Sequence, residues 1–141
     1  NGNLSLKGMI SPEGLVLPKR CKSIKLNSLT SAEGLVFPDT IVGVLNLSSL
    51  RIPDGLVLPK DEVGELCLQN LVSAKGLIIP KKIIEDVNLS SLQDADGLKI
   101  HPGFDLDYID CDYEIKEEIM ENPEKYYAIE EELEEDTGRG R

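Results

Sequence analysis

A single histidine, three cysteines and the absence of any long apolar run set the first limits on this 141-residue chain. His101 stands where a repeat merges into the C-terminal tail, a position expected at an exposed corner. Acid–base and nucleophilic catalysis therefore have little to draw on, and no catalytic residue is assigned. Cys21, Cys67 and Cys111 form an odd set without C-x-x-C spacing. That pattern argues against a disulfide framework or a zinc site and favours a reducing compartment. No run approaches the roughly 18 apolar residues that span a bilayer, and no signal-peptide pattern opens the chain, so no membrane partner is expected. The first residue is Asn1 rather than Met, which suggests a piece of a longer protein.

A basic excess is missing too. Residues 1–103 contain 11 Lys and Arg against 11 Asp and Glu, whereas residues 104–141 contain 4 basic and 15 acidic residues, so the tail carries the whole net charge of −11. A neutral body without a basic face is poor equipment for gripping a nucleic-acid backbone, and no nucleic-acid partner is expected. Two physically different segments meet near Gly103.

What the chain has in abundance is repetition. "GLVLP" occurs at 14–18 and 55–59, with "GLVFP" at 34–38, "GLIIP" at 76–80 and "GLKIHP" at 97–102; the glycines are spaced by 20, 21, 21 and 21 residues. A second register runs alongside: Cys21-x-x-Ile24-x-Leu26-x-x-Leu29, and likewise Val42 to Leu50, Val63 to Leu71 and Ile84 to Leu92. Leu4, Leu6 and Met9 supply part of an earlier copy, and Leu106, Tyr108 and Cys111 a degenerate last one.

A fixed period of this length signals a solenoid, because one turn cannot bury its own apolar residues but stacked turns bury them in columns. The x-Leu-x alternation predicts one strand per coil, Leu inward, with successive strands parallel. The Gly-Leu-Val-Leu-Pro segment is a second extended wall. Glycine makes its entry corner and proline ends it. The small residues Ala32, Pro53, Ala74 and Ala95 suit the narrow turn between the two stretches.

The L-x-x-L-x-L spacing resembles leucine-rich repeats. With its Leu-Pro pair it looks most like the short repeats of bacterial secreted effectors, such as the recognition domains of type III secreted ubiquitin ligases. It is also similar to tandem "GL-LP" repeats of bacterial and phage proteins. The resemblance covers residues 3 to about 111 and implies a binding scaffold, in the cytoplasm or acting in a host cytosol. The asparagine usual at the ninth position is replaced by Leu29, Leu50, Leu71 and Leu92, which points to a flatter coil. The separate helical domain that carries the ligases' catalytic cysteine has no counterpart here, so no enzymatic residue is carried over.

The fold expected is a β-rich solenoid of five to six coils over residues 1–111, then an acidic helical cap over 112–135 and disorder over 136–141. Coil one opens without a cap, and self-association is expected through this edge or through the valine stripe described below. At the other end Asp112 is the expected N-cap of a helix over 113–121. Ile115 and Ile119 form its apolar face, with Met120 adjoining, and Pro123 starts a second helix with Tyr126, Ile129 and Leu133 as its stripe.

Cys21 and Cys111 belong to inward columns, while Cys67 points outward as an accessible thiol without a basic activator nearby. Asp105, Asp107, Asp110 and Asp112 are read as a solvated acidic edge rather than a calcium site, since the Gly-Gly-x-Gly-x-Asp pattern is absent. The sequons at Asn3, Asn46 and Asn88 follow from the repeat and are discounted. No cofactor or metal is expected. Two surfaces remain. The strand face presents Lys25, Asn46, Cys67 and Asn88 beside Asn27, Ser48, Gln69 and Ser90. In the second wall, burying Leu15 and Leu17 forces Val16 outward, and the same logic exposes Val36, Val57 and Ile78, with Lys99 ending the row. Such a stripe reflects either plain strand propensity or a contact surface. The functional expectation is a non-enzymatic protein–protein recognition module; the alternative is a regulator whose acidic tail occupies a basic surface.

Overall fold

The structure, a computed structural model, describes residues 3–6, 8, 10, 15–19 and 21–127. The expected coil strands appear as β1 (Asn3–Ser5), β2 (Ser23–Lys25), β3 (Thr40–Asn46), β4 (Glu62–Cys67), β5 (Lys82–Asn88) and β6 (Ile109–Asp110). They form one sheet in sequence order, every neighbouring pair parallel, so the chain is a parallel β-solenoid. In-register stacking builds the core. Ile24, Leu45, Leu66, Val87 and Ile109 make one column, and Leu26, Leu47, Leu68 and Leu89 the next; all are buried. Each fully buried side chain of this size contributes roughly 1.5–3 kcal/mol, which is why the repeat conserves volume at these positions.

Two turns close each coil. After the strand, the amide of Leu29 donates to Leu26 O, and Leu50, Leu71 and Leu92 repeat the bond to Leu47, Leu68 and Leu89. Before the second wall, Leu35, Leu56, Leu77 and Leu98 donate to Ala32, Pro53, Ala74 and Ala95. The third residue of each of these turns is Gly34, Gly55, Gly76 or Gly97, all at φ between 73° and 89°, the signature of a type II turn. The second wall is extended as expected but contributes no strand to the sheet. Among the described residues its only bridge is Ile78 to Lys99.

The inner columns depart from the 21-residue alignment at one place. Ile41, Val63 and Ile83 face inward, whereas Val42 and Ile84 point out. Between matched positions β3 and β5 each carry two residues where β4 carries only Gly64, so both are bulged. The true repeat is therefore a pair of coils. "PDTIVGVLNLSSL" at 38–50 matches "PKKIIEDVNLSSL" at 80–92, and "LNSLTSAEGL" at 26–35 matches "LQNLVSAKGL" at 68–77. Gly64 is required by this packing: a Cβ there would lie 2.4 Å from Val42 O and 2.5 Å from Gly43 O.

The last coil is shifted as well. Ile109, not Tyr108, occupies the strand column opposite Val87, and Tyr108 is exposed at the end of the 3₁₀ turn Leu106–Tyr108. His101 is buried rather than at an exposed corner. The helices α1 (Tyr113–Glu121) and α2 (Pro123–Tyr126) then close this end. Ile119 and Tyr126 join the core at 0% and 1% exposure, Ile100 N donates to Tyr126 O at 2.8 Å, and Tyr127 Oη donates to Phe104 O at 3.1 Å. Asp112 occupies the N-cap position but makes no side-chain cap bond, and Met120 is exposed. Ile129, Leu133 and residues 136–141 lie outside the described residues.

Candidate interaction site

The strand face is less available than its sequence suggests. Asn46 Oδ1 accepts from Ser48 N, and Asn88 Oδ1 accepts from Ser90 N, both at 3.0 Å. These Asx turns start the bend that follows the strand, which gives the Asn-Leu-Ser repeat a structural cause. Asn27, Ser48, Gln69 and Ser90 lie in that bend and not on the strand. A ladder runs between coils there: Ser49 Oγ donates to Asn27 O, and Asn70 Nδ2 donates to Ser48 O at 2.6 Å. It serves turn carbonyls much as an asparagine ladder would, from a different position. Asn27 Oδ1 and Gln69 Oε1 are buried without a protein partner. Of the expected face, Lys25 is exposed, whereas Asn46, Cys67 and Asn88 are half-buried.

Cys67 does not behave as an activated thiol. Burial, then the Glu65 and Asp86 carboxylates, push its pKa up to about 11, and its Sγ lies 3.9 Å from Glu65 Oε2. It stays protonated at neutral pH, the form that neither attacks an electrophile nor binds a soft metal. Cys21 is buried in the core and Cys111 half-buried, its thiol likewise shifted upward by burial. No cluster of His, Cys, Asp or Glu among the described residues could hold a metal ion. Asp105 has a local task instead, accepting from Asp107 N at 2.9 Å to start the 3₁₀ turn. Among the described residues no helix is long and apolar enough to cross a membrane.

The second wall presents the exposed stripe. Val16, Val36, Val57 and Ile78 are 88%, 79%, 65% and 39% exposed, while their inward neighbours Leu35, Phe37, Leu56, Leu58, Leu77 and Ile79 are buried. Propensity alone does not require this. A threonine at each outward position would keep the β-branched backbone preference without the apolar surface. Toward the cap the stripe ends at the half-buried Lys99. Beyond it lies a recess of mixed charge lined by Lys75, Asp94, Asp96, Lys99 and Lys125. There Lys125 Nζ sits 2.6 Å from Asp96 Oδ1 and ties α2 to the last corner. That contact holds the Lys125 ammonium above its usual range. Bulging adds exposed Val42 and Ile84, which the 21-residue alignment had placed inside. The 42-residue match pairs Val42 with Ile84, as the 21-residue register already does, so the sequence does not by itself turn them outward.

No protein-family model, curated protein or solved structure matches the chain.

Proposed function

We propose that this protein is a non-enzymatic recognition module that binds another protein through the second wall of its solenoid. The observation that carries this is the stripe Val16, Val36, Val57 and Ile78, which stays exposed on a wall whose alternate residues are buried from Leu35 to Ile79 and half-buried at Leu15 and Leu17. A stack of coils suits such a task, because each coil adds one contact in register with the next. The likeness of the repeat to those of bacterial secreted effectors favours the same reading by analogy.

The test replaces Val36, Val57 and Ile78 together by alanine. The far-ultraviolet circular dichroism and the unfolding midpoint should stay near wild type, since these side chains are outside the core. Association with protein should be lost. Association unchanged by all three substitutions would remove the stripe from the binding surface.

A further inference from the structure

We infer that the protein bound at this wall is a second copy of the chain, packed stripe to stripe with the coil order reversed. This rests on the reading of the stripe as a contact surface and adds the partner and its orientation. The carriers are the charges that flank each stripe residue three positions before and three after. Around Val36 stand Glu33 and Asp39; around Val57, Asp54 and Lys60; around Ile78, Lys75 and Lys81, and all six flanking residues are exposed. The wall is thus acidic at one coil, mixed at the next and basic at the one after.

Two facing walls related by a two-fold axis can meet in two ways, because in a symmetric dimer the same patch serves both copies. With the coils running in the same direction, Glu33 meets Asp39 of the second copy, and Lys75 meets Lys81. Both contacts oppose like charges, and only Asp54 with Lys60 is favourable. With the coil order reversed about Val57, Glu33 meets Lys75, Asp39 meets Lys81, and each pair occurs twice. Val36 then lies against Ile78, and Val57 against its own counterpart. Asp54 and Lys60 do face their own copies on the axis, but Lys75 of the second copy and Asp61 of the same chain flank them. The reversed order also places the acidic C-terminal regions at opposite ends of the dimer, whereas the parallel order sets them side by side. The short apolar stripe holds the copies together, and the rim charges choose the register.

The experiment is a sedimentation-equilibrium concentration series on the whole chain and on two charge-reversed variants, E33K/D39K and K75E/K81E. All four side chains are exposed, so both variants should fold. Wild type should pass from monomer to dimer with rising concentration. Each variant alone sets like charges at every rim pair, and its dimer should weaken by about tenfold or more. Mixed together, the two variants restore opposite charges between positions 33 and 75 and between 39 and 81, and should form a heterodimer about as tight as wild type. Raising salt from about 0.01 M to about 1 M should shrink the difference between variants, as screening shortens to about 3 Å. A wild-type chain that stays monomeric overturns this inference and leaves the recognition reading standing. A dimer that survives the triple alanine substitution is held by another surface and likewise overturns this inference while leaving the recognition reading to its own test. A dimer lost on alanine substitution but indifferent to the charge reversals overturns the reversed register.

Discussion

Replacing Gly64 by alanine tests the paired-coil architecture most directly. Gly64 is buried in β4 at the position where β3 and β5 each carry an extra residue. The added methyl would sit 2.4 Å from Val42 O and 2.5 Å from Gly43 O. An ordinary carbon–oxygen contact is about 3.3 Å, so the strands must part by roughly 0.8–0.9 Å at that point. Neither oxygen can rotate away, because both belong to the bulged backbone of the neighbouring strand. Overpacking of this kind costs about 1–3 kcal/mol, and a purely backbone clash belongs at the upper end. For a chain of this size about 3 kcal/mol lowers the thermal midpoint by roughly 10–15 °C. Gly76 supplies the control. It sits at φ +82° with nothing within 4 Å of its added Cβ, so alanine there meets only the left-handed backbone penalty. That penalty is about 1–2 kcal/mol. Urea unfolding followed by circular dichroism measures both. If Gly64→Ala costs no more than Gly76→Ala, the close approach of the bulge to β4 is not what selects glycine, and the argument fails.

Other outcomes follow from single contacts. Asn88→Ala should cost about 1 kcal/mol by removing the acceptor for Ser90 N, while Asn88→Asp keeps it and should stay close to wild type in the same unfolding assay. Cys67 should alkylate more slowly than a small free thiol at pH 8, with a rate that climbs as pH approaches about 11; Glu65→Gln should shift that rise to lower pH, read by mass spectrometry of the modified chain. Leu68→Ala, at 0% exposure in a Leu column, should cost about 2–5 kcal/mol in urea unfolding. Ending the chain at Asp112 removes Ile119 and Tyr126 from the core and leaves Ile100 N without its carbonyl, so the shortened protein should melt lower and gain mass by light scattering at concentrations where the full chain does not.

The sequence by itself determined the solenoid, because its causes are local and repeat coil by coil. Leucines at a fixed spacing have to be buried. Gly34, Gly55, Gly76 and Gly97 recur because the corner needs a positive φ that other residues adopt at a cost. The alternation that buries Leu56 and Leu58 and exposes Val57 follows from the two faces of an extended chain. The α1 boundaries were legible for the same reason, with Asp112 before the helix and Pro123 after it. Only the tertiary structure decided what depends on the neighbouring coil. Val42 and Ile84 turn outward because the ladder to β4 skips a residue, and nothing within one coil reveals which residue is skipped. Asn46 and Asn88 leave the open strand face because their side chains start the next turn. His101 is buried, although the sequence places it where the repeat gives way to the tail. The rim of the stripe is likewise a product of stacking: Glu33 and Lys75 lie 42 residues apart in sequence, and only the coil repeat sets them on one edge, two coils from each other.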